Sequence, residues 1–360
     1  MGATTTPRGT IVRGRILAGR DEPVIEDGAV VLDGDGVVAA MGPASMSDVA
    51  PGLPTYGGPG TVVAHGVVDA HVHLAFGAPG EVLAGGCVAV RDLGAPPGRA
   101  ASWRSSHAYS ALPVVAVAGP LLTAPAGYPS RSWGAGGFAR FLTDPVAARA
   151  VVSGLAGSVD VVKLALEPAG GQPVPDVPTA RAVVEAAHDH GLAVSCHALR
   201  RAMVERALDA GVDELCHTPT ERLPPELVER IAVAGIPVVS TLHTHRDTGP
   251  DLMANARDLV AAGVPLVYGT DLGNAGTRPG VEPGELDLLA QAGLGADGAW
   301  WAATAGSAGT AGLRDRVPGH IAVGGRPVLV LLDADPRQTP AAARRPSAVL
   351  AGGRVALRGS

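Results

Sequence analysis

A chain of 360 residues with 46% apolar side chains can bury one barrel-sized core plus a small accessory unit, or two ordinary domains. A formal net charge of −6 with 17% charged residues gives no sign of a nucleic-acid or membrane-surface partner. The cysteines, Cys87, Cys196 and Cys216, are too few and too scattered for a disulfide framework, which suits a reducing cytoplasm.

The opening stretch, MGATTTPRGTIVRGR, lacks the apolar core of a secretory leader. TIVRGRIL and GAVVLDGDGVVAAMG follow as short strands, with a hairpin turn at the DGDG of residues 33–36. The uncharged stretch from Ser105 to Ser130 is broken by Pro113, Gly119, Pro120, Pro125 and Gly127, so it does not read as a membrane span.

From residue 65 the rhythm changes. GVVDAHVHL, CVAVRD, LPVVAVAG and VDVVKLAL are apolar strand candidates. Four amphipathic helices then each end in a glycine that leads into another apolar strand, at Gly191, Gly211, Gly235 and Gly263. Eight strands in alternation with helices predict an α/β fold, a (β/α)8 TIM-type barrel over residues 65–316. An open doubly wound sheet would carry a Gly-rich phosphate loop after its first strand, and none is present. HIAVGGRPVLVLLDADP and SAVLAGGRVAL at the far end match the texture of the start. Residues 1–64 and 317–360 are therefore expected to form one small β-sandwich domain from both chain termini.

Polar residues fall at the C-terminal ends of these strands, the end that faces a barrel's mouth. His71 and His73 lie two apart, so both project to one side and can chelate a metal. Lys163 is the only lysine among 28 basic residues, and it is flanked by Val161, Val162, Leu164 and Leu166. A lysine kept inside an apolar strand, in a chain otherwise supplied with arginine, points to chemistry that guanidinium cannot perform. Burial favours the neutral amine, which can take up CO2 as a carbamate that bridges two cations; a Schiff-base lysine is the alternative. His197 and His217 close consecutive strands, and their preceding cysteines are expected to point away into the strand–helix layer. Asp271, after the last strand, can ligate a metal and accept a proton from water. Tyr128, Arg131 and Trp133, then His243, His245 and Arg246, then Asn274 and Arg278, are expected to rim the pocket, with His243 as the leading substrate or oxyanion contact.

HxH after strand one, Lys after strand four, His after strands five and six and Asp after strand eight resembles the amidohydrolase superfamily in its order. GVVDAHVHL, VAVRDLG, VVKLAL, VVSTL before His243, GTD and the closing GHIAVGGRPVLVLLDADP resemble its imidazolonepropionase-related branch, which includes metal-dependent Xaa-Pro dipeptidase-type enzymes. The resemblance implies that His71, His73 and Asp271 hold one metal and His197 and His217 the other. It implies carboxylated Lys163 as the bridge and zinc as the usual occupant. It further implies cleavage of a C–N bond (amide, peptide or cyclic amide) in a small-molecule substrate by a metal-bridged hydroxide, with Asp271 as proton shuttle. A mononuclear deaminase or cyclic-amidine hydrolase, a lyase or decarboxylase on the same scaffold, and a non-catalytic descendant are the competing readings. The sequence is also compatible with a homo-oligomer. Two segments depart from the family pattern. LALEPAGGQPVP after Lys163 differs from the usual continuation, and Tyr128 stands where relatives often carry histidine.

Overall fold

The computed structural model describes residues 9–45, 52–106 and 112–359. The first eight residues of the opening stretch, and residues 107–111 of the uncharged stretch, lie outside that range. Among the described residues no helix is long and apolar enough to cross a membrane.

Both ends of the chain meet in one seven-stranded sheet. Gly9–Leu17 runs parallel to Thr55–His65, which pairs antiparallel with Leu329–Leu332, setting His65 opposite Leu329. The hairpin from Ile25–Asp33 to Val38–Pro43 turns where the sequence predicts. There Asp33 Oδ1 accepts from the amides of Asp35 and Val37, both at 2.9 Å, and Gly36 takes φ +80°, which a side chain would resist. Val12, Val30, Leu32, Val63, Leu329 and Leu331 fill an apolar core separate from that of the central region.

The central region is a closed ring of parallel strands. Val67–Val72, Cys87–Asp92 and Val114–Val117 form one run; Leu121–Thr123, Val162–Ala165, Val194–His197, Glu214–Leu215, Val238–Val239 and Leu266–Val267 form the other. The third predicted strand is split because Gly119 turns the chain at φ +68° and Pro120 brings no N–H to the ladder. The ring closes where Ala70 donates to Tyr268 (3.2 Å), Asp271 to His71 (2.8 Å) and His73 to Leu272 (2.7 Å), each through backbone N–H and C=O. Eight strands thus make the barrel, the split third strand counting once.

The four predicted helix-ending glycines all adopt left-handed conformations, at φ 69°, 85°, 65° and 78°. Each is followed by an amide that reaches back five residues: Leu192 to Ala187, Val212 to Ala207, Ile236 to Ile231 and Val264 to Leu259. This repeated helix stop satisfies orphan carbonyls and turns the chain into the next strand. At Gly191, Gly235 and Gly263 nothing would touch an added Cβ, so backbone conformation alone selects glycine there.

Inside the barrel, Arg91 from the second strand meets Glu214 of the sixth at 2.6 Å, while Ser195 of the fifth donates to the same carboxylate oxygen at 2.6 Å. Arg91 also donates to the carbonyls of Ala70 (2.9 Å) and Thr310 (3.0 Å). A buried ion pair, with Arg91 Nε and Nη1 also bonded to carbonyls, lies beneath the mouth.

Candidate metal centre and active site

Strand alternation aims His71, His73, Lys163 and His197 into the barrel mouth. His71 is fully buried, and its Nδ1 lies 2.8 Å from the Cys216 carbonyl oxygen. A carbonyl can only accept, so the proton sits on Nδ1 and leaves Nε2 free as a ligand. Burial above all, with the Lys163 charge in support, holds the His71 pKa well below its ordinary value. Burial and the neighbouring His197 do the same for His217, whose Nδ1 is 3.0 Å from Thr241 Oγ1. Neutral imidazoles are the form that binds a cation.

Asp271 is brought to them by a backbone bent to φ +53°, and Thr241 by one at φ +47°. Left-handed backbone at a β-branched threonine is unusual and strained. Asp69, two residues before His71 on the same strand, ties the two sides together. Its Oδ1 accepts from the amides of His71 and Thr270, both at 3.0 Å, and its Oδ2 from Thr270 Oγ1 at 2.5 Å. Burial pushes the Asp69 pKa up to about 7. With strands one and eight fastened this way, Asp271 Oδ1 lies 3.3 Å from both His71 Nε2 and His73 Nε2. Burial alone would raise the Asp271 pKa, but His71, His245, His73 and His217 outweigh it and hold the carboxyl well below its usual range.

Three overlapping donor sets result: His71, His73 and Asp271; His217, His245 and Asp271; His71, Cys216 and His217, the atoms of each lying within 4.8 Å of one another. His197 joins through His217, their ring centroids 4.6 Å apart. His197 Nε2, His245 Nε2 and Asp271 Oδ1 are buried without a hydrogen-bond partner. Buried polar atoms are rarely left so, and this donor set fits a divalent cation. A cavity of about 440 Å3 opens above, lined by Phe76, Tyr128 and Trp133 on one side and Glu167, Arg200 and Thr220 on another.

The model of the Amidohydrolase family matches residues 62–356. The chain belongs to the amidohydrolase family. No curated protein matches it. Among solved structures, this amidohydrolase is similar to a Xaa-Pro dipeptidase with bound methionine in the active site, at 19% identity and TM-score 0.83 over 98% of this chain and 100% of that one. It is also similar to A. niger ochratoxinase, at 18% identity and TM-score 0.80, covering 98% and 96%. Molinate hydrolase gives 18% identity and TM-score 0.77, covering 97% and 95%. At these identities the likeness speaks for the fold.

The amidohydrolase brings His71, His73, Lys163, His197, His217 and Asp271 together, with Tyr128, Trp133, His245 and Asn274 on the cavity wall. His243 is placed elsewhere. It follows strand seven inside a single helical turn, Leu242–His245, where positions two apart face nearly opposite ways. His245 therefore turns inward, its Nε2 3.6 Å from Asp271 Oδ2, while His243 turns towards Glu282, 3.8 Å away. Arg246 is half-exposed beside Asp247, and neither it, Arg131 nor Arg278 lines the cavity. The expectation for the cysteines holds for Cys196, which packs in the apolar layer, and fails for Cys216. Glu214 points inward, Leu215 outward and Cys216 inward again, so Cys216 Sγ reaches within 2.5 Å of Lys163 Nζ. Sequence reasoning also missed Glu167, a buried carboxylate 3.4 Å from His197 Nε2. Its signal was register, since counting in twos from Lys163 through Ala165, the last strand residue, reaches Glu167.

Proposed function

We propose that this amidohydrolase is a metal-dependent hydrolase of carbon–nitrogen bonds in small molecules, with an amide, peptide or cyclic amide as the scissile group. The observation that carries it is the meeting of His71, His73, His197, His217, Lys163 and Asp271 beneath one cavity, with three buried donor atoms lacking partners. His71, His73 and Asp271 would hold one divalent ion, zinc in the reading we favour, and His197 and His217 a second, with carboxylated Lys163 between them. When bound, such ions polarise a carbonyl and lower the pKa of water towards about 7. Asp271, held ionised at neutral pH, accepts a proton from the attacking water and returns it to the leaving nitrogen. His245, 3.6 Å from Asp271 Oδ2, steadies that carboxylate. Tyr128 and Trp133 shield the site from bulk water on the side of His197 and His73. In this reading the two chain ends, 1–64 with 317–360, would make up an accessory β-sandwich domain around the seven-stranded sheet, and 65–316 would be the catalytic barrel. The three free, buried cysteines accord with a reducing cytoplasm.

Metal analysis of Lys163→Ala tests this reading. The wild type is expected to carry two ions per chain, and the variant to lose bound metal and activity, with partial rescue of both by a short carboxylic acid. Full metal content and full turnover in the variant would remove the bridging role. One ion per chain in the wild type would favour the mononuclear alternative.

A further inference from the structure

Glu167 lies two residues beyond the strand that carries Lys163, Val162–Ala165. Glu167 is 6% exposed and lines the cavity. Its ion-pair partners are His197 Nε2 at 3.4 Å and Arg200 Nε at 3.7 Å. Both distances exceed the roughly 2.7–2.9 Å of a charge-assisted hydrogen bond. With only these two longer ion pairs, the Glu167 carboxylate faces the cavity able to take a closer donor. Arg200 is a weak answer, because more than half of its side chain faces solvent.

The wall beside Glu167 has the same preference. The chain holds only four Trp, four Tyr and three Phe, yet Phe76, Tyr128, Trp133 and Phe138 gather at this mouth. The Tyr128 ring lies 5.2 Å from the His197 ring, so Tyr128 and Glu167 both abut the same imidazole. A π face next to a carboxylate attracts a cation from two sides. Leu121, Leu199 and the Trp133 indole extend an apolar surface from that point.

We propose that Glu167 and Tyr128 form an ammonium subsite beside His197, so that the substrate carries a protonated amine close to the scissile amide, with an apolar or aromatic side chain against Trp133. The chemical class is an amide of an amino acid whose amine is free, as against an N-acylated one. This proposal rests on the reading of the barrel mouth as a C–N hydrolase site.

The test has a binding arm and a turnover arm. In the first, calorimetry on the metal-loaded protein compares L-phenylalaninol with 3-phenylpropan-1-ol, neither of which offers a bond to hydrolyse. The amine is expected to bind about tenfold to a hundredfold more tightly, the scale of one charge-assisted contact. Glu167→Gln should erase that preference with unchanged metal content. Arg200→Met should keep it. In the second arm, leucyl p-nitroanilide should be cleaved at a higher kcat/KM than its N-acetyl derivative, with Glu167→Gln shrinking the ratio by a similar factor through KM. Equal binding of the two alcohols overturns the subsite, as does loss of metal in Glu167→Gln or an Arg200→Met variant that behaves like Glu167→Gln. Discrimination in binding without turnover of any amide would leave the subsite standing and sink the hydrolase reading. Turnover without preference for the amine would do the reverse.

Discussion

Replacing Arg91 by methionine removes one partner of the buried pair inside the barrel. Arg91 is 2% exposed and Glu214 4%, so the abandoned carboxylate has no route to water. Breaking a buried pair from one side typically costs about 3–5 kcal/mol, because the remaining charge is desolvated and uncompensated. The carbonyls of Ala70 and Thr310 lose donors in the same change, while Ser195 still donates to Glu214. For a chain of 360 residues, an unfolding entropy near 2.1 cal/mol/K per residue turns a loss of about 4 kcal/mol into about 5 °C of Tm. Denaturant unfolding of Arg91→Met, Glu214→Met and the double variant, at equal metal loading, reads the effect directly. Arg91→Met is expected to lose stability on that scale, and the double variant to regain at least half of the loss, since two apolar chains then replace two charges. An Arg91→Met protein within about 1 kcal/mol of wild type would refute the argument, as would a double variant no more stable than the single one. Zinc affinity is a second readout, because Arg91 Nε holds the carbonyl of Ala70, the residue between Asp69 and His71.

Three further outcomes are expected. Thr241→Val keeps the branched shape but removes the hydroxyl at His217 Nδ1, and should weaken zinc binding about tenfold to a hundredfold in competition with a chromophoric chelator; an unaltered Kd would show that the hydroxyl does not orient the ring. Asp271→Asn should cut kcat by orders of magnitude while its unfolding midpoint stays near that of the wild type, and an unchanged rate would reject Asp271 as the proton carrier. Burial lowers the His65 pKa from 6.5 to about 4. The unfolded chain therefore takes up that proton first, and stability should fall as pH drops from about 6.5 to about 4, by about 3 kcal/mol, and level off below. His65→Gln should flatten that part of the stability–pH curve measured by urea unfolding, and identical slopes for variant and wild type would contradict it.

What the sequence made legible was mostly backbone logic. Gly191, Gly211, Gly235 and Gly263 announced helix stops because only glycine takes that conformation freely, and all four behave alike. The order of His71, His73, Lys163, His197, His217 and Asp271 was legible because ligand types in apolar strands are costly to keep without a use. Failures came where the regular period broke. The strand around Gly119 divides, and the turn after Val239 becomes helical, which exchanged the faces of His243 and His245. Cys216 was misjudged because the inward position was counted from His217, beyond the last paired residue, when Glu214 sets the phase. Asp69 was unreadable as a fastener, since its partners at Thr270 lie far along the chain.

The terminal sheet has a consequence for how this chain must be made. Thr55–His65 runs straight through Gly66 into Val67–Val72, so one ribbon serves the sheet and carries the first two histidines. Its neighbour on one side, Leu329–Leu332, emerges from the ribosome only after every barrel strand has been synthesised. Until then that flank of Val62 and Ala64 stays open, a transient sticky edge that a chaperone or a rapid C-terminal clasp has to cover.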